Sequence, residues 1–212
     1  MIDHFYCINL DRRKDRWEQV QQQFKSVNLE AERIPAVDGR TLDGDYLPFK
    51  NQNEKACLLS HINVVKDAQL KGYNKIAIFE DDVVFSKKFN LEILKKLNNW
   101  KLIYLGASQV SWNNITIKNG YYHPNNTLGT WAMLIDHSIY ERMLNAYEKF
   151  ECSADLTLAK EFNNDPNCYV LFPNLCMTDV SSSDIRNYKM DQESFNKKCK
   201  WDLDSYNFNQ IN

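Results

Sequence analysis

The residues with the clearest chemical potential are Glu80, Asp81 and Asp82, which end the apolar run Ile76-Ala77-Ile78-Phe79. That run reads as a buried strand. A dense negative cluster at its tip needs a positive partner, and the usual one is a divalent cation held by oxygen donors. The triplet alone is a weak signal: with 28 Asp plus Glu in 212 residues, three consecutive acids arise by chance about once in every two such chains. Placement after a strand marks the candidate site, against the plainer reading of a solvated turn. A second charged group, Asp11-Arg12-Arg13-Lys14-Asp15-Arg16, follows the strand-like residues 4–10. Trp17, Val20 and Phe24 then recur at helical spacing, which makes Asp11 a candidate N-cap with basic side chains around the first turn. Such a terminus suits a phosphate or nucleotide; a solvated helix face paired with Asp15 and Glu18 is the structural alternative.

The surrounding pattern supplies elements to hold these groups. A short strand over 32–37 closes at the turn Asp38-Gly39, and a polar, irregular stretch covers 43–54. A helix over 56–70, with Gly72 after its end, feeds the acid-bearing strand. Beyond it the pattern predicts a helix over 91–97 and strands over 102–106 and 129–135. A helix over 138–150, another from near Asp155 and a last strand over 169–173 follow. Alternation of strand and helix predicts an α/β fold: one open, mostly parallel, Rossmann-like sheet flanked by helices, with ligands beyond the carboxyl ends of its strands. Residues 111–126, polar and broken by Gly120 and Pro124, read as a loop or hairpin over the sheet edge. The expected domain runs over 1–187, and 188–212 form a polar tail or packed arm.

Composition excludes several functions. A chain that is 43% hydrophobic and 13% aromatic can bury one domain core. A net charge of -2 creates no broad field for nucleic acid or anionic lipid. No apolar stretch approaches ~20 residues and the start lacks signal-peptide character, so the expectation is a soluble, cytoplasmic chain without a membrane segment. The six cysteines form no Cys-x-x-Cys pair, which argues for reduced thiols and against structural zinc. The four histidines form no His-x-x-His pair, so a zinc hydrolase has no support.

Six segments, in order along the chain, carry a resemblance: Cys7-Ile8-Asn9-Leu10-Asp11-Arg12-Arg13 with Arg16; Pro35-Ala36-Val37-Asp38-Gly39; Ala56-Cys57-Leu58-Leu59-Ser60-His61; Ile78-Phe79-Glu80-Asp81-Asp82; Gly129-Thr130-Trp131-Ala132; and Ser183-Asp184-Ile185. Together they resemble glycosyltransferase family 25, the lipopolysaccharide-type sugar transferases that include collagen galactosyltransferases and giant-virus enzymes. The resemblance implies a GT-A-like fold, a UDP-sugar donor, Mn2+ (or Mg2+) and inversion at the anomeric carbon. It also admits a viral chain acting in host-cell cytoplasm. It places Asn9, Leu10, Arg12 and Arg16 around the nucleotide, with Asp38, Ser60, His61, Gly129 and Thr130 near the donor.

Within that frame Asp82 is the expected direct metal ligand, and Glu80 or Asp81 takes the ribose hydroxyls or reaches the metal through water, since neighbouring strand residues face opposite sides. Asp155 matches the family's acceptor-side acid and is the candidate base, against a plain helix-capping role. Where relatives offer His or Gln this chain has Thr178 and Asp179, so Asp179 is the candidate further ligand. The expected reaction moves a hexose, galactose or glucose, to a hydroxyl on a glycan, a lipid-linked sugar or hydroxylysine. The alternatives are a non-catalytic sugar- or partner-binding module on the same fold, or another nucleotide-using transferase; the latter lacks a Gly-rich phosphate loop here. The sequence does not specify oligomeric state.

Overall fold

The computed structural model describes residues 1–181, 183–186 and 190–208. The chain opens with β1 (His4–Asn9), α1 (Lys14–Ser26), β2 (Glu32–Pro35), α2 (Gln52–Lys71), β3 (Lys75–Glu80) and β4 (Val83–Phe85). Then come β5 (Leu102–Tyr104), β6 (Ser108–Gln109), β7 (Tyr121–Tyr122), β8 (Thr127–Leu128) and β9 (Ala132–Asp136). The second half adds α3 (Tyr140–Tyr147), α4 (Ala154–Phe162), β10 (Cys168–Leu171), β11 (Cys176–Thr178) and α5 (Gln192–Cys199).

Seven strands form one sheet in the order β2-β1-β3-β9-β5-β10-β7. β1 is parallel to β2 and β3, and β10 is parallel to β5. β9 runs antiparallel to both β3 and β5, and β7 antiparallel to β10. Most strands therefore share one direction, as the α/β pattern predicts, but a reversed strand sits at the centre. That reversal brings the entry to β9, residues 129–131, beside the exit of β3, where the acids lie.

Side chains alternate across each strand, so each face has its own core. Tyr6, Ile76, Ile78 and Met133 pack with Leu58 and Ile62 of α2 and Met143 of α3. Cys7, Ala77, Phe79 and Leu134 pack on the other face with Val20 and Phe24 of α1, Phe85 of β4 and Met177 of β11.

Four local expectations change. Asp11 does not cap α1: its carboxylate accepts from Arg33 Nη2 at 2.6 Å, and Arg13 occupies the cap position without a side-chain capping bond. α2 starts before residue 56 because Asn51 Oδ1 accepts from Glu54 N at 2.9 Å and supplies a cap upstream; it ends, as expected, at Gly72 with φ 73°. Residues 91–97 form only a 3-10 turn, Glu92–Lys96, and the strand over 169–173 is followed by a further one, β11, paired to β4. Towards the C-terminus, Trp201 Nε1 donates to Asn174 Oδ1 at 2.6 Å and Tyr206 OH to Asn174 O at 2.8 Å, with Cys199, Trp201 and Tyr206 buried. All six cysteines are free thiols. Among the described residues no helix is long and apolar enough to cross a membrane.

Candidate active site

Glu80 closes β3, Asp81 and Asp82 form the turn into β4, and the three acids meet different partners. Glu80 follows Ile78 towards α2, where its Oε1 lies 3.0 Å from His61 Nε2 and accepts from Thr130 Oγ1 at 2.6 Å. Thr130 is available because β9 is reversed and pairs Ala132 with Phe79. Asp81 turns the other way. It accepts from Asn9 Nδ2 at 2.6 Å and from Arg16 Nη1 at 2.7 Å, the first a consequence of the register that pairs Ile8 with Glu80. Asn9 is itself fixed by Arg33 Nε, which donates to its Oδ1 at 2.8 Å.

Asp82 stands between these two networks. Arg16 Nη2 is 3.9 Å from its Oδ2, an ion pair too long for a hydrogen bond. Oδ1 is buried without a hydrogen-bond partner among the described residues. Burial lifts the Asp82 carboxyl to about 7; Arg16 opposes the rise, while Glu80 and Asp81 add to it. Burial also acts upward on Glu80, but the hydrogen bond and charge of His61 and the Thr130 hydroxyl hold it below the ordinary carboxylate value. A buried carboxylate oxygen with no donor, ringed by further carboxylates, is the oxygen-rich environment that a hard divalent cation completes.

Two cavities meet at this point. The narrower, about 90 Å³, is lined by residues 8–10, by Arg16, Val37 and Gly39, and by Ser60, His61 and the three acids. Gly39 is required there, since a Cβ would stand 2.2 Å from Asn53 Oδ1. The larger, about 480 Å³, shares Cys57, Glu80 and Asp82 with the first and extends over Gly129, Thr130, Trp131, Asp155, Thr178 and Arg186. Gly129 has φ 116°, and a Cβ on it would stand 2.2 Å from the Trp131 ring. The segment 183–186 borders both cavities. Asn53 Nδ2 donates to Asp184 O at 2.7 Å, Asn51 Nδ2 donates to Ile185 O at 2.9 Å, and Arg12 and Arg13 each bind the Asp184 carboxylate at 2.6 Å.

A family model described as glycosyltransferase family 25 (LPS biosynthesis protein) matches residues 2–121, more than half of the chain. The chain belongs to glycosyltransferase family 25. A human protein named procollagen galactosyltransferase 2 is 29% identical over 133 residues, which is 51% of this chain and 21% of that protein. A rat protein named probable inactive glycosyltransferase 25 family member 3 is also 29% identical, over 134 residues, 52% of this chain and 23% of that protein. The chain thus spans under a quarter of the length of these curated relatives. Among solved structures, a glycosyltransferase involved in glycosylation of the major capsid of PBCV-1 aligns with TM-score 0.42 and 8% identity over 68% of this chain and 64% of that chain.

In this family 25 chain the residues singled out by sequence fall into three groups. Asn9, Leu10, Arg16, Ser60, His61, Glu80, Asp81 and Asp82 line the narrow cavity. Gly129, Thr130 and Asp155 join Glu80 and Asp82 around the larger one. The remainder do not line either cavity. Arg12 binds Asp38 at 3.1 Å and Asp184, and Asp38 also caps the turn at Gly39–Thr41 by accepting from Arg40 N. Asp179 shares a third cavity with Asp81 and Asp82; its Oδ1 accepts from Ser181 N, and its own N–H donates to Asp82 O at 2.9 Å. Ser60 Oγ accepts from Val37 N and donates to Ala56 O, which fastens the narrow cavity's wall to α2. Asp155 Oδ1 accepts from Ser153 Oγ at 2.6 Å and from Leu156 N at 2.8 Å. Sequence reasoning missed Cys57, Asn53 and Arg186 as cavity residues. Cys57 and Asn53 share α2 with His61, four-residue spacing being the available signal for Cys57, whereas Arg186 had none.

Proposed function

We propose that this chain is a metal-dependent, inverting glycosyltransferase that moves a hexose, galactose or glucose, from a UDP-sugar to a hydroxyl acceptor. The observation that carries the reading is Asp82, which lines both cavities and whose Oδ1 is buried without a hydrogen-bond partner among the described residues. Asp82 would hold Mn2+ or Mg2+, and Asp179 would act through the third cavity. The cation, when bound, supplies positive charge to a departing diphosphate. Asn9 and Leu10 line the narrow cavity, which would take the uracil ring, and Arg186, whose buried Nε lacks a partner among the described residues, offers a donor to phosphate oxygens. Glu80 is oriented by His61 and Thr130 and presents carboxylate oxygen to donor hydroxyls. Asp155 has Oδ1 fixed by Ser153 and Leu156, and Oδ2 takes the proton of the acceptor hydroxyl as that oxygen attacks from the face opposite the diphosphate.

UDP release from a panel of UDP-sugars, with manganese or with EDTA, tests this reading. Release that selects one sugar, needs manganese and is lost in Asp82→Ala supports it. A second reading has its own observation: a relative equally similar to this chain carries the name probable inactive. A non-catalytic module would bind UDP or sugar without releasing UDP from any donor.

A further inference from the structure

We propose that Cys57, His61 and Glu80 form a second cation site, selective for thiophilic divalent ions such as Zn2+ and distinct from the hard-cation position at Asp82. Their donor atoms, a thiol sulfur, an imidazole nitrogen and a carboxylate oxygen, all lie within 4.8 Å of one another. Donors at about 2.0–2.3 Å around tetrahedral zinc are separated by roughly 3.3–3.8 Å, so the cluster closes on an ion with small side-chain shifts. Cys57 and His61 are one helical turn apart on α2, and Glu80 is delivered by the end of β3, so two rigid elements hold the set. His61 is fully buried, and its Nδ1 has no hydrogen-bond partner among the described residues although Nε2 is engaged by Glu80. Nε2 is the ring nitrogen that faces Glu80 Oε1, so an ion shared with that carboxylate and the Cys57 sulfur would take the Nε2 lone pair and leave the ring proton on Nδ1.

Cys57 lines both cavities, which gives an ion an entry path and leaves a coordination position open towards them. Sulfur and nitrogen donors select zinc, cadmium or cobalt over manganese and magnesium, whereas Asp82 offers oxygen only. On binding, the thiol proton leaves to solvent and a metal–thiolate bond replaces it. An ion there ties Glu80 down and stands on the wall common to both cavities. The site does not depend on sugar transfer.

The test is Co2+ titration of the metal-free full chain, read by cobalt–thiolate charge-transfer absorption, with Zn2+ affinity measured by competition against a chromophoric chelator. The band is expected in wild type and in Cys152→Ser, and is expected to be lost in Cys57→Ser, with Zn2+ affinity falling by more than about tenfold. Mn2+ affinity should be unchanged in Cys57→Ser and reduced in Asp82→Asn. In wild type, Zn2+ should also protect Cys57 from iodoacetamide, read by peptide mass spectrometry, a measurement that stands even if the variant folds poorly. Cobalt bound without a thiolate band, a band that survives in Cys57→Ser, or alkylation of Cys57 unaffected by Zn2+ would overturn the proposal.

Discussion

At the scale of single residues, the site is a division of labour among three adjacent acids at the end of β3 and in the turn that follows it. Glu80 and Asp81 each have strong donors, and Asp82 has an oxygen with none among the described residues. The pH dependence of stability follows. An unfolded Asp ionises near 4, whereas the folded chain keeps the Asp82 proton to about 7. The folded state therefore binds the extra proton between those values; the stability it confers is complete below about pH 4 and is lost as pH rises through 7. Cation-free wild type should lose roughly 2–4 kcal/mol over that interval, and urea unfolding from pH 5 to 8 should show the decline flattened in Asp82→Asn. A decline of equal slope in the variant would remove Asp82 as its source. Thr130→Val deletes the 2.6 Å bond to the Glu80 carboxylate, and should cost about 1.5–3 kcal/mol by the same measurement. The acids were legible in sequence because an apolar run ends on them. Asp11 was misread as a cap because Arg33, from a different strand, captures its carboxylate, and no local pattern encodes that meeting.

At the scale of elements, the narrow cavity depends on the close approach of the turn at Gly39–Thr41 to the start of α2. Gly39→Ala would place Cβ 2.2 Å from Asn53 Oδ1 and 2.7 Å from its backbone nitrogen, so backbone must move. A lower melting temperature together with weaker UDP binding is expected; unchanged UDP affinity would show that the turn does not shape the nucleotide wall. Asn51 has two roles, capping α2 through Oδ1 and holding Ile185 O through Nδ2. Asn51→Ala should cost about 1 kcal/mol from the cap, and limited proteolysis should show faster cleavage near residue 185 than in wild type. The long helix, the turn Asp38-Gly39 and the central strands were readable from periodicity and Gly placement. The early start of α2 and the pairing of β11 with β4 were not: one depends on an Asn cap inside a polar stretch, the other on a three-residue strand whose partner lies far away in sequence.

At the scale of the whole molecule, the reversed central strand and the C-terminal segment determine what surrounds the acids. β9 brings Gly129, Thr130 and Trp131 to the exit of β3, and Trp201 stacks edge-on against Trp131 with ring centroids 5.9 Å apart. Trp201→Ala should cost about 3–5 kcal/mol, leave Asn174 Oδ1 without its donor, and loosen the wall that carries Trp131; chemical unfolding measures the loss. The polar composition after residue 188 concealed this, because a few aromatic anchors in a lysine- and asparagine-rich stretch do not register as periodicity. The most direct measurement of the proposed function is calorimetric titration of UDP into wild type and Asp82→Asn, each with manganese and with EDTA. Saturable heat that requires both manganese and Asp82 is the expected result. UDP binding that is indifferent to manganese and to the substitution, or absent altogether, would contradict a cation-assisted nucleotide-sugar site at this junction.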